Sequence, residues 1–498
     1  RRTAELTAMA TPPAAGIDLE GLGLEAFRDQ PVAVLGLARS GVALTRFLAD
    51  HGARVTVYDT RTADLLTDAL EALGERRPRL LLGPDVDPAT ALEGQALICT
   101  SPSVSSRYPT TEARLRAALA ATEADGRIPV VSEVDLFLRL CPAATVGVTG
   151  TKGKTTTSSL TAAVLAAGDP PVVLGGNIGI PLIERLPELT SNHRVVLELS
   201  ELQLPTLSRG TDIAVYTHVT SDHLDRHGTL GAYRAVKRRL AELLPVGGVL
   251  VRNDDDPVVA AYAAPEGART VTYAQSAPET AAVGVSDGWV VAGAAMVPED
   301  HDGRILPLTD IPIPGGHNVS NVLAAVTVGL LYGVAPDAIA DAVRGFGGVE
   351  HRLERVDEIA GVTYVNDSQG TQPDAVVAAV EAFERPLVLI AGGRSKGNPI
   401  DRLALAVAER VIAAVLIGET AEELAAAFAA AGLERIERAG SMGDAVARAT
   451  TIARERTPAT VLLSPAAASF DMFVDYEARG RAFKAAVATV AEAREAVR

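Results

Sequence analysis

Cysteine is nearly missing from this chain. Cys99 and Cys141 are the only two in 498 residues. They form no CxxC pair, so they exclude a disulfide framework and predict a reducing, cytoplasmic setting. Long apolar runs are lacking as well. No stretch approaches the roughly 20 residues that cross a bilayer, so a soluble protein with no membrane span is expected. Positive charge is in deficit: 46 basic residues against 62 acidic ones give a net charge of −16. Such an excess repels nucleic-acid phosphates at long range and argues against a nucleic-acid partner. Its plainest meaning is a solvated acidic surface that aids solubility. A nucleotide is not excluded, because a few local cations and backbone N–H groups suffice to hold one. The opening Arg1-Arg2 is followed by Glu5, Asp18 and Glu20, where an export signal needs continuous apolar residues, so export is not expected.

What is present is ordinary α/β material, 48% apolar in short runs. A chain of this length predicts three domains. Residues 1–25 mix Ala, Pro, Thr and acids without periodicity and read as a mobile arm with no assigned function. From Pro31 the run VAVLGLARSGVALTRFLADHGARVTVYDTR reads as strand, glycine turn, helix and second strand, the opening of a doubly wound sheet. A second unit opens with the strand ATVGVTG and the helix TTTSSLTAAVLAAG. It continues through RVVLELS, DIAVYTHVT and GVLVRND, whose apolar runs between helical stretches argue for a parallel sheet. Residues 271–308 suggest a small antiparallel excursion, and HNVSNVLAAVTVGLLYG a helix. GVTYVND, PLVLIAGG, AAVLIG and TVLLSP read as strands of a third unit. The expected architecture is therefore α/β in three domains: N-terminal Rossmann-like (1–142), central P-loop parallel sheet (143–348) and C-terminal Rossmann-like (349–498).

The strongest local signal runs from Val146 to Thr155, VGVTGTKGKT, between a strand and a helix. Glycines there let backbone N–H groups close around phosphate, Lys154 supplies charge and Thr155 a hydroxyl for Mg²⁺. A strict GxxxxGK[ST] count needs glycine where Val148 stands, so this is a variant. The alternative is a Gly-Lys-rich helix entry with no ligand. Lys152 reads as a solvated lysine. GLARSG, Gly36 to Gly41, lacks the central glycine of GxGxxG and makes a weak dinucleotide site. His218, His223 and His227 with Asp222 and Asp225 could form a transition-metal cluster, but no nearby cysteine or HExxH arrangement supports zinc. Composition alone makes Lys237, in YRAVKRR, part of an exposed basic helix face.

The spelling TGTKGKT resembles the loop TGTxGK[ST] of the Mur ligase superfamily and of folylpolyglutamate synthetases. Further matching motifs follow in order: Gly176-Asn177-Ile-Gly-Ile-Pro181, Leu197-Glu198-Leu-Ser200, Thr220-Ser-Asp222-His223-Leu-Asp225, Lys237, Gly316-His317-Asn318-Val-Ser-Asn321, His351-Arg352, Asn366-Asp367-Ser368, and Ser464-Pro-Ala-Ala-Ala-Ser469-Phe470-Asp471. The resemblance implies an ATP-dependent amide ligase of peptidoglycan precursor synthesis, acting as a monomer through an acyl phosphate. Its D-glutamate-adding branch takes UDP-N-acetylmuramoyl-L-alanine and D-glutamate, and SPAAASFD with Tyr476 favours that branch. ATP would meet Gly150, Thr151, Gly153, Lys154, Thr155, Thr156, Asn318, Asn321, Arg352 and Asp367. Magnesium would be held by Thr155, Glu198, His223 and a carbamylated Lys237, and the catalytic set is Lys154, Glu198, His223 and Lys237. The nucleotide sugar would contact Ser40, Asp59, Arg61 and Asn177, and the amino acid Thr371, Lys396, Ser469 and Phe470. Asp59 could equally be a strand-end turn residue and Lys396 a solvated loop lysine. Three departures stand out: Gln369 replaces a lysine of the family pattern, Ser103 a glycine, and Glu201-Leu202 a Ser-Phe. They keep two rivals open, a sister ligase for another substrate and a noncatalytic nucleotide-binding homologue.

Overall fold

A computed structural model describes residues 16–495 apart from 180, 221–226, 281, 314 and 396–398. The chain divides into two compact units, one ending at Gly345 and the other starting at Phe346. The first unit contains two separate sheets, the second contains one.

The first sheet is formed by β1 Pro31–Leu35, β2 Arg54–Asp59, β3 Arg79–Leu82, β4 Leu97–Thr100 and β5 Val130–Ser132. All pairings are parallel, in the order β3-β2-β1-β4-β5. Its central strands read as unbroken apolar runs because helices cover both faces. Chain order reverses beside β1, which opens a crevice at the carboxyl ends of β1 and β4.

The second sheet is formed by β6 Ala144–Thr149, β7 Val172–Gly176, β8 Arg194–Glu198, β9 Ile213–Tyr216, β10 Val249–Asn253, β11 Arg269–Tyr273, β12 Ala282–Ser286, β13 Trp289–Ala292 and β14 Arg304–Pro307. Its order is β14-β13-β12-β11-β10-β9-β6-β8-β7. Strands β6 to β12 pair in parallel, and β12-β13-β14 form the antiparallel excursion expected within 271–308. The helix Gly316–Leu331 is apolar nearly all round, and Val322 to Leu330 are buried. It packs on the phosphate-loop helix so closely that a methyl group on Gly329 would lie 2.5 Å from Val164. Removing Leu160, fully buried in that phosphate-loop helix, should cost about 2–5 kcal/mol.

The second unit is formed by β15 Glu354–Ile359, β16 Val362–Asn366, β17 Leu387–Gly392, β18 Ala413–Ile417, β19 Ile436–Arg438 and β20 Ala459–Leu463, ordered β15-β16-β20-β17-β18-β19. Only β15 runs antiparallel. Its ERVDEI is mostly charged, with Val356 and Ile359 its apolar residues, as suits a half-exposed edge strand. Among the described residues no helix is long and apolar enough to cross a membrane.

Candidate active site

The phosphate loop leaves β6 where that strand is flanked by β8 on one side and β9 on the other, the switch point of the second sheet. Two glycines make the loop possible. A methyl group on Gly150 would sit 2.0 Å from Thr217 Oγ1, and one on Gly153 2.6 Å from Asn321 Oδ1. Gly153 also has φ +85° at the helix N-cap, a conformation costly for other residues. Thr151 is fastened on three sides: its N–H donates to His218 O (2.5 Å), its hydroxyl pairs with Tyr233 Oη (2.9 Å), and that hydroxyl accepts the Thr220 N–H (3.1 Å). Lys154 Nζ donates to Thr151 O at 2.9 Å. Thr155 is buried and Thr156 half-buried in the first helical turn, while Lys152 is exposed, as a solvated lysine should be. Asn321 accepts from Thr157 Oγ1 (3.0 Å) and donates to Asn318 Oδ1 (3.0 Å), so the loop, its helix and the helix Gly316–Leu331 share one polar seam.

Beside this loop, β8 delivers Glu198, 2% exposed. Its backbone carbonyl accepts the Asn177 N–H and its Oε1 accepts Asn177 Nδ2, both at 2.8 Å. Glu198 Oε2 is buried and has no hydrogen-bond partner among the described residues. A buried carboxylate oxygen left this way is costly unless a ligand meets it. Lys237 overturns the expectation of an exposed basic face: it is fully buried. Tyr233, Lys237, Leu240 and Ala241 share the inward stripe of the helix Leu230–Glu242, while Arg238 faces water and pairs with Glu242. Lys237 Nζ lies 3.4 Å from Thr149 Oγ1 and 5.6 Å from the Tyr233 ring centre. His223, with Asp222 and Asp225, lies outside the described residues. His218 Nδ1 lies 3.3 Å from Asp256 Oδ2, and His227 stacks edge-on against Tyr233. Among the described residues no group of three or more His, Cys, Asp or Glu is arranged to hold a metal by itself.

In the first sheet, Gly36 to Gly41 cap the crevice beside β1. Asp59 at the end of β2 takes the Leu37 N–H on Oδ2 (2.7 Å) and the Arg61 N–H (2.9 Å) and Nε (3.0 Å) on Oδ1. Burial pushes the Asp59 carboxyl up, but the hydrogen bonds from Arg61 and Leu37 outweigh it and hold it below the usual range. Asp59 thus ties the glycine loop to the neighbouring strand and orients Arg61. Ser40 is half-buried in the first helical turn, and Ser101 Oγ donates to Gly36 O (3.1 Å) from beneath. A cavity of about 440 Å³, lined by Cys141, Thr145, Arg209 and Asp212 among others, opens at the start of β6, the end opposite the phosphate loop.

In the second unit, Asp367 follows β16 and is 5% exposed. It accepts Ser464 Oγ (2.6 Å) and the Leu353 N–H (3.2 Å), and burial pushes its carboxyl up to about 6 against those bonds. The Leu353 contact fixes the turn bearing Arg352, where His351 (φ +64°) and Leu353 (φ +44°) are both left-handed. Asn366 Nδ2 reinforces it through His351 Nδ1 (2.8 Å) and Glu354 Oε2 (2.9 Å). Thr371 is half-buried, Ser469 is buried, and Phe470 is 63% exposed. Gln369 Oε1 is buried without a partner among the described residues. Lys396 lies outside the described residues. Sequence reasoning missed Arg479, 1% exposed, which donates to Ser368 Oγ (3.0 Å), Ser368 O (3.0 Å) and Ala467 O (3.1 Å) and so joins two candidate substrate loops. Its position in a charged helix carried no signal of burial.

A family model described as Mur ligase middle domain matches residues 148–329, and one described as Mur ligase, glutamate ligase domain, matches residues 351–467. The UDP-N-acetylmuramoylalanine–D-glutamate ligase of Pelotomaculum thermopropionicum is 38% identical over 462 residues, 93% of this chain and 98% of that protein. Its namesake from Symbiobacterium thermophilum is 40% identical over 465 residues, 91% of this chain and 97% of that protein. Among solved structures, the UDP-N-acetylmuramate–alanine ligase of Thermotoga maritima is similar in fold, with a TM-score of 0.52 at 16% identity over 93% of this chain and 100% of that one.

Proposed function

The chain belongs to the Mur ligase family, and from that premise we infer that it joins D-glutamate to UDP-N-acetylmuramoyl-L-alanine with ATP, a step of peptidoglycan precursor synthesis. The observation that carries this reading is the match to relatives so named over more than nine-tenths of both chains. We read the protein further as cytoplasmic and monomeric.

A carboxylate is a poor electrophile, so the alanyl carboxylate first attacks the γ-phosphorus of ATP. An O–P bond forms, the bond to ADP breaks, and an acyl phosphate results. The amine of D-glutamate then adds to the acyl carbon, the C–O bond to phosphate breaks, and the surplus amine proton passes to solvent. Anionic oxygens crowd together at each stage, so fixed positive charge and aimed donors supply most of the catalysis.

Lys154 and the N–H groups of Gly150 to Thr156 are the phosphate holders in this reading, with Asn318 and Asn321 at the nucleotide. Magnesium, when bound, would neutralise phosphate oxygens and the charge that develops in transfer. Thr155, Glu198, His223 and a carbamylated Lys237 are its proposed ligands. The buried, unpartnered Glu198 Oε2 fits a hard cation that prefers oxygen. Carbamylation joins the neutral Nζ of Lys237 to carbon dioxide with loss of a proton, and the lysine's complete burial supports that assignment. Asn177, oriented by Glu198, is assigned to the reacting end of the nucleotide sugar, and Ser40, Asp59 and Arg61 to its uridine end. In the second unit, Arg352 and Asp367 are assigned to ATP, and Thr371, Lys396, Ser469 and Phe470 to D-glutamate.

Hydroxylamine trapping tests the chemistry. With ATP and nucleotide sugar but no amino acid, the enzyme should yield the hydroxamate of the nucleotide sugar. Phosphate release without hydroxamate would rule out the acyl phosphate.

A further inference from the structure

The segment that carries Asn177 is anchored at both ends, and only one anchor belongs to the candidate site. At its start, Asn177 is bound twice to Glu198. At its end the chain passes Pro181 into the short 3-10 turn Leu182–Glu184, where the Ile183 N–H donates to Glu133 Oε1 at 3.1 Å. Glu133 lies on the side of the first sheet, directly after β5. It opens the helix Glu133–Leu140, which follows β5 and is capped by Ser132, whose side chain accepts the Asp135 N–H. Glu133 is 3% exposed and Ile183 fully buried. The helix that follows the glycine loop holds the same turn, through Arg46 Nη1 to Glu184 Oε1 at 3.2 Å. A buried carboxyl is a costly way to satisfy one backbone N–H, so its presence at this junction calls for a reason beyond packing. Burial pushes the Glu133 carboxyl up to about 7 against the Ile183 hydrogen bond, with Glu184 adding to the rise and Arg39, at the start of the glycine-loop helix, opposing it.

We propose that Glu133 is a positioning residue for the ligation inferred above, on which this role rests. By holding Ile183 it locks the Asn177 segment to the sheet assigned to uridine, and so sets the distance between the uridine end of the substrate and its reacting carboxylate. Glu133 acts through Ile183 rather than by contact with a substrate.

Steady-state kinetics of the full chain test this with Glu133→Leu, which fills the space without an acceptor, and Glu133→Gln, which keeps an oxygen acceptor but cannot ionise. For the leucine variant the KM for nucleotide sugar should rise roughly tenfold, as loss of one buried hydrogen bond allows, while the KM values for ATP and D-glutamate stay put. The glutamine variant, whose amide oxygen can still accept the Ile183 N–H, should restore the KM. A proportional loss of kcat with every KM unchanged would mark a merely structural residue and overturn the role. If the leucine variant does not fold, Glu133→Ala takes its place: a raised KM for nucleotide sugar with the other KM values unmoved supports the role, and an unmoved KM for nucleotide sugar overturns it. A wild type that ligates nothing to the nucleotide sugar would overturn the ligase reading and this role with it. An active wild type with unmoved variants would overturn this role alone.

Discussion

Asn177 and Glu198 are joined twice, backbone to backbone and side chain to side chain, both at 2.8 Å. The pair forms because Gly176 and Glu198 sit opposite each other at the ends of β7 and β8, and a methyl group on Gly176 would lie 2.4 Å from the Glu198 carbonyl. One carboxylate oxygen is spent on orienting Asn177, and Oε2 is left for a ligand. Glu198→Gln should therefore lower kcat/KM on the order of 100- to 1,000-fold, and raise the magnesium concentration needed for half-maximal rate. Its melting temperature should stay close to that of the wild type, because the glutamine oxygen can still accept from Asn177 Nδ2. Wild-type activity in this variant would contradict the assignment.

Lys237 makes a second test. Intact mass in bicarbonate should show a fraction of protein heavier by one carbon dioxide, and this fraction should disappear in Lys237→Arg. The arginine variant should lose activity on the order of a thousandfold, since a guanidinium cannot present carbamate oxygens to a cation. An active arginine variant would contradict the carbamate.

Asp367 links stability to pH. Its folded value, about 6, lies above the ordinary 3.8. The contribution of the protonated form is therefore complete below 3.8 and is lost as pH rises through 6. Asp367→Asn escapes that loss, so its stability relative to wild type should increase across this window by up to roughly 3 kcal/mol. Denaturant unfolding at several pH values measures it, and a pH-independent difference would contradict the burial argument.

Tyr233→Phe removes the phenol that pairs with Thr151 Oγ1 and leaves the ring beside Lys237. Loss of about 1 kcal/mol of support for the phosphate loop should raise the KM for ATP roughly fivefold with a small change in kcat. A KM that does not move would mean that the other Thr151 contacts suffice.

Much of the fold was legible because parallel strands covered on both faces read as short apolar runs, as β1, β6, β8 and β20 do. β15 was missed because an edge strand carries charge on its open face. The phosphate loop was legible despite Val148, since closure depends on Gly150 and Gly153, whose missing side chains admit Thr217 and Asn321. Composition alone misreads Lys237, because its charge conceals an inward helical stripe shared with Tyr233 and Leu240. The Asp367–Leu353 and Arg479–Ser368 links were invisible, because they join residues distant in sequence through buried polar contacts with no periodicity. His223 and Lys396 stay at the level of the motifs that nominated them.

The central claim is that this chain adds D-glutamate to UDP-N-acetylmuramoyl-L-alanine. The direct measurement is ATP-dependent phosphate release with product mass analysis across a panel of amino acids. The account predicts one adduct, with D-glutamate, despite Gln369. Selective ligation of another amino acid, or ATP binding with no adduct at all, would contradict it.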